Sequence, residues 1–169
     1  MESNESFKQY GINYGIIFGA YSTVALLLSY FLNIDIQNWI FGIINFIITV
    51  AIPAYAIYEY KQNNALNLTT GQAVKIALIV GVVGGLIYAV YMYIHYTLID
   101  TEFLENKREI AMKSLEEVTK GKSQEEIDMA KKGVSIGSSP FAQSTIALFS
   151  VMIKTVLVGV VTGLILKNK

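Results

Sequence analysis

Residues 76–99 read IALIVGVVGGLIYAVYMYIHYTLI and contain no aspartate, glutamate, lysine or arginine. A helix rises about 1.5 Å per residue, so about 20 apolar residues cross the ~30 Å hydrocarbon core of a bilayer. Three further stretches share this character. Residues 9–34 and 36–58 carry no charge, and residues 133–166 carry one, Lys154. The pattern predicts four transmembrane helices, at about residues 10–32, 39–58, 72–96 and 141–166. The polar segment 97–139 lies between the third and fourth. The expected fold is all-α: a single membrane domain over residues 1–169, with an extramembrane helical hairpin between spans 3 and 4. A soluble bundle is the alternative. It would need a charged face along most of each helix, and these segments have none.

Composition agrees. The chain is 53% hydrophobic and 15% charged, against about 25% charged in soluble domains. Mean hydropathy is +0.47. The formal net charge is zero, so neither a basic surface for nucleic acid nor an acidic tail is present. There is no cysteine, which excludes disulfides and thiolate metal ligation. The head MESNESFKQY is not basic. The apolar run after it is too long for a cleavable signal, and no clean small-x-small site follows, so it reads as a retained first span.

Local signals divide the chain further. The 33–38 loop carries Asp35 and no lysine or arginine. Trp39 suits one water interface, and Tyr58 and Tyr60 the other. Thr69 or Thr70 caps span 3, and Pro140 suits the first turn of span 4. Within the hairpin an amphipathic helix starts near Thr101, with Phe103, Leu104, Ala111, Leu115 and Val118 on or near one stripe. Gly121 ends it, and Ser123 with Glu126 has capping-box spacing. A second, shorter helix runs to about Lys132. Gly133 and VSIGSSP then form a flexible return. The hairpin's seven basic and nine acidic residues are mixed, which is not the pattern of a nucleic-acid or headgroup patch.

Four spans place both termini and the 59–73 loop on one side. Lys8, Lys61, Lys75, Lys167 and Lys169 lie there, close to span ends. Lysines near span ends favour the cytoplasm. The expected orientation is therefore cytoplasmic termini with the hairpin outside.

Small residues recur at four-residue spacing: Gly11, Gly15 and Gly19 in span 1, Gly81 and Gly85 in span 3, Gly159 and Gly163 in span 4. Such faces let helices approach closely in lipid. Spans 1 and 4 are expected to cross through them, with homo-oligomerisation as the alternative.

Two places stand out chemically. Lys154 lies about 15 Å from the nearest span end, too deep for its stem to reach water. Asn45 and Thr49 in span 2, and Ser22 and Thr23 in span 1, are the polar neighbours expected at its depth. Pro53 frees the Thr49 carbonyl as a further acceptor. Lys154 reads as part of a polar cluster that sets helix register, as a proton-, anion- or ligand-linked group, or as a residue of a shifted span. In span 3, Ala77, Gly81, Gly84, Tyr88, Tyr91 and His95 share one face, while Tyr93 points away. His95 is the chain's only histidine, and Met92 lies on the wrong side to join it. No haem or zinc ligand set forms, and no cofactor is expected. The stripe reads as an aromatic belt with an interfacial histidine, and a pH-sensing or partner-binding role is the sharper alternative. No catalytic motif appears.

Three stretches carry a family resemblance: INYGIIFGAYS, LTTGQAVKIAL, and YTLIDTEFLENKREIAMKSLEE followed by KSQEEIDMAKK. In their order and layout the chain resembles a bacterial membrane-protein family catalogued as domain of unknown function 4199, found mainly in Bacteroidetes-type bacteria. Thr70 stands where an aromatic residue is expected. The resemblance implies a four-span inner-membrane protein and supplies no functional residues. The expected role is a non-enzymatic accessory or scaffold protein acting through protein–protein contact. The alternative is a small oligomeric transporter or channel subunit with Lys154 lining the path.

Overall fold

A computed structural model of the chain describes residues 6–34 and 38–168. Asp35 and Lys169 lie outside the described residues. Among the described residues all regular structure is helical: α1 (Phe7–Phe31), α2 (Trp39–Asn63), α3 (Thr70–Ile94), a π-helical turn (His95–Ile99), α4 (Thr101–Val118), α5 (Gln124–Gly137) and α6 (Pro140–Leu166). Four of them are long and apolar enough to cross a membrane: α1, α2, α3 with its π turn, and α6. The chain forms two compact units. The first comprises Met1–Tyr88 with Ala147–Lys169, the second Ala89–Ile146.

The first unit is organised around α3. A methyl placed at Gly11, Gly15 or Gly19 would come within 2.6–2.7 Å of Ile79, Val83 and Ile87 respectively. Partner numbers rise together, so α1 and α3 run parallel. On the other side, Gly159 lies against Ala77, Gly163 against Ala73, and Gly81 against Thr155. There the numbers run in opposite order, so α3 and α6 are antiparallel. The expected crossing of spans 1 and 4 is therefore corrected: both glycine rows face span 3. Four-residue spacing marks which face of a helix is flat but does not name the neighbour. The single small face read in span 3 is two. Ile79, Val83, Gly84 and Ile87 meet α1, while Ala73, Ala77, Gly81 and Gly85 meet α6.

The C-terminal half of α2 completes the core. Ala56 and Ile57 are fully enclosed with Phe18, Ile76, Ala77 and Val80. Helix α2 continues past Tyr58 to Asn63. Tyr60 is buried, because it shares the inward face of Pro53 and Ile57. Its ring meets Tyr10 edge-on at 5.6 Å, and its hydroxyl accepts from Gln72 Nε2 at 3.1 Å. Thr69, not Thr70, caps α3: its hydroxyl accepts from Gln72 N, and Gln72 Oε1 accepts from Thr69 N. The end of α6 is tied down by Lys61 Nζ donating to Leu166 O (2.7 Å) and by Leu68 N donating to Asn168 Oδ1 (3.0 Å).

The second unit holds the hairpin. Helix α4 starts at Thr101, with Asp100 accepting from Phe103 N. Leu104 is buried and Phe103, Ala111 and Leu115 are half-buried, but Val118 is 70% exposed and leaves the stripe. Thr119 takes the buried position there, its hydroxyl donating to Leu115 O. Gly121 adopts φ +88° at the turn, a region that favours glycine. Helix α5 runs to Gly137, not Lys132, so the expected flexible return shrinks to two residues before Pro140. A helical glycine costs only about 1 kcal/mol, and Val134 and Ser135 just beyond Gly133 are half-buried in the continued helix. Ser139 caps α6, accepting from Ala142 N at 3.2 Å, with Pro140 in the first turn.

The capping box at α5 forms as expected. Glu126 accepts from Ser123 N (2.9 Å), and Ser123 Oγ accepts from Glu126 N. The Ser123 N–H and the Ser123 hydroxyl both donate to Glu126 Oε2 and hold its carboxyl below its ordinary range. A carboxylate whose pKa is depressed by folding stabilises the fold above its unfolded pKa and loses that contribution as pH falls. The Ser123 amide resonance is expected to stay constant above about pH 5 and to shift as pH falls below about 4, when α5 frays. Glu126→Gln, which removes the titrating group, should remove that titration.

Candidate functional site

Lys154 occupies α6 about 18 Å from Leu166, counted along the helix. Its neighbour Thr155 is fully enclosed against Gly81, its hydroxyl donating to Met152 O at 3.0 Å. Lys154 stands about 100° around the helix from Thr155, on the flank of the α3-facing row. It is half-buried. It makes no hydrogen bond or ion pair among the described residues.

The polar cluster expected around it does not assemble there. Asn45 Oδ1 accepts from Tyr21 OH at 3.1 Å, and Thr49 donates to Phe46 O in its own helix. Ser22 and Thr23 are half-buried in α1, and the Thr23 hydroxyl oxygen is buried without a hydrogen-bond partner. The reason is geometric. Helix α6 presents its small-residue row to α3, while Asn45 turns toward Tyr21 of α1.

The tyrosine stripe divides between the two units. Tyr88 packs half-buried against the core of the first. Tyr91 and His95 belong to the second. His95 is 0% exposed. Its Nδ1 lies 3.3 Å from Tyr91 OH. Its ring sits between Tyr91 (5.6 Å) and Tyr96 (5.3 Å), and Tyr96 stacks on Phe103 at 5.1 Å. The π turn brings this column together. It contributes both buried residues, His95 and Tyr96, and Asp100 N closes it onto His95 O at 2.9 Å. One-turn π segments insert an extra residue into a helix and turn a side chain to a new direction. Tyr93 faces outward, 45% exposed, as the projection requires.

One ionisable group within the spans was missed by sequence. Glu59 follows directly on the charge-free run 36–58, and it lies inside α2. Tyr14 OH of α1 donates to its Oε2 at 2.5 Å. Side chains on a helix lean toward its N-terminus, so the carboxylate reaches back along α2 into the bundle. The only signal available was its position, one residue beyond the run's end.

Four membrane-length helices, with two shorter ones between the third and fourth, define a multi-pass membrane protein. Residues 13–168 match the family described as protein of unknown function (DUF4199), and the chain belongs to that family. No curated protein and no solved structure matches it.

Proposed function

We propose that this chain is a non-enzymatic accessory or scaffold protein of the bacterial inner membrane. Its termini are cytoplasmic and its hairpin is the contact module for another protein. The observation that carries the reading is the outer surface of the hairpin. Ile110 and Val118 on α4 are 66% and 70% exposed, and Met129 and Ile136 on α5 are 68% and 69%. Large apolar side chains on otherwise charged helices outside the membrane favour a protein contact. A photo-crosslinking residue at Ile110 should yield one reproducible adduct in native membranes, lost in Val118→Glu. Absence of any reproducible adduct, with the protein folded, would count against it.

Lys154 favours a second reading, a small transporter or channel subunit. A cation within a span without a counter-charge is costly and often faces a solute path. Lys154→Met in proteoliposomes should then reduce solute flux at least tenfold, with the melting temperature unchanged. Unchanged flux removes Lys154 from any function.

A further inference from the structure

The seam between α1 and α2 holds an anionic, ring-lined group of side chains that the readings above leave unused. Its centre is the Glu59 carboxylate, half-buried and bonded to Tyr14 OH. The Tyr14 ring lies 5.9 Å from that of Tyr55, tilted by 60°, and the Tyr55 ring lies 6.0 Å from that of Tyr58. Tyr55 and Tyr58 are 55% and 45% exposed, so this wall opens outward from the bundle.

No ion pair of Glu59 forms among the described residues. Lys61, two residues further along α2, and Lys75 of α3 are engaged elsewhere. Lys61 Nζ donates to Leu166 O, and Lys75 Nζ lies 5.8 Å over the Phe7 ring. A partly desolvated carboxylate without a counter-charge is costly. Aromatic faces carry negative potential and attract cations. An interfacial aromatic belt needs rings alone and does not account for the carboxylate among them. Carboxylate and rings together fit a cation that is weakly hydrated and has apolar surface to lay against them. An alkylated or quaternary ammonium meets both conditions.

We infer that Glu59, Tyr14, Tyr55 and Tyr58 form a binding site for an organic ammonium group at the seam of α1 and α2. Glu59 supplies the counter-charge, Tyr14 holds the carboxylate in place, and the Tyr55 and Tyr58 rings cover the alkyl surface. The same chemistry is offered by the trimethylammonium headgroup of a choline phospholipid and by a free quaternary ammonium solute.

The test uses the full chain in phosphatidylglycerol nanodiscs, with radiolabelled tetramethylammonium as probe. The wild type should bind it saturably. Glu59→Gln keeps a side-chain acceptor for Tyr14 and should weaken binding by about tenfold, the loss of one charged partner. Tyr55→Leu alters an exposed ring and should weaken it by about threefold. If Glu59→Gln does not fold, Tyr55→Leu decides. Saturable binding that both folded variants weaken supports the site. No saturable binding by the wild type, or binding by the variants within experimental error of wild type, overturns it. Nanodiscs of phosphatidylcholine then separate the sources. Binding suppressed there assigns the site to the lipid headgroup, and binding unchanged assigns it to a free ammonium solute.

Discussion

Gly159→Leu should lower the unfolding midpoint in detergent by roughly 10 °C. A Cβ at Gly159 would stand 2.6 Å from Ala77 Cβ, 3.1 Å from Val74 Cα and 3.2 Å from Ala73 O. Carbon atoms prefer about 3.5–4.0 Å. Two of the three obstacles are backbone atoms, so the helices must separate for leucine to enter. Overpacking of this kind costs about 1–3 kcal/mol, occasionally more, and the upper part of that range applies where backbone blocks the way. For a chain of this size about 3 kcal/mol corresponds to roughly 6–12 °C. Gly42 is the control. Nothing lies within 4 Å of a Cβ built there, so Gly42→Leu should leave the midpoint within about 2 °C of wild type. Equal behaviour of the two variants would mean that α3 and α6 do not pack through this row.

His95→Ala should loosen the second unit while leaving the first intact. The His95 ring is wholly enclosed and lies against Tyr91 and Tyr96. Removing it leaves a cavity between rings that a π turn holds in place. Truncating large buried side chains costs about 2–5 kcal/mol, and imidazole belongs at the lower end. A local loss of about 2 kcal/mol is a roughly thirtyfold change in an opening equilibrium. Amide exchange at the start of α4, where Phe103 stacks on Tyr96, should accelerate by that factor. Amides around Ile57 and Ile76, in the core of the first unit, should exchange at wild-type rates. Uniform acceleration in both would show that His95 supports the whole chain and not one unit.

These two residues also mark the limits of the sequence reading. That Gly159 has a close neighbour follows from its spacing with Gly163, but which helix it meets does not. Repeats describe one helix at a time, and span 3 carries small residues for two partners. The long spans, the Ser123–Glu126 box and the Pro140 start were legible because each rests on local chemistry within a few residues. The π turn was not. One inserted residue leaves the apolar pattern of 76–99 unchanged, yet it forms the turn that holds both His95 and Tyr96. Glu59 escaped notice for a related reason. Charge-free runs delimit where Cα atoms cross the membrane, whereas a carboxylate on a helix reaches back toward the N-terminus, here to Tyr14. Lys154 was conspicuous at once, but the polar partners read for it are turned to other acceptors.

The four-span arrangement is tested most directly by labelling single cysteines with a membrane-impermeant maleimide in sealed vesicles. The chain has no cysteine of its own. Gln62→Cys lies near the end of α2, and Lys122→Cys lies in the turn between α4 and α5, both at exposed positions. With α3 as the third of four spans, the two must label from opposite faces of the membrane. Labelling of both from the same face would contradict the arrangement.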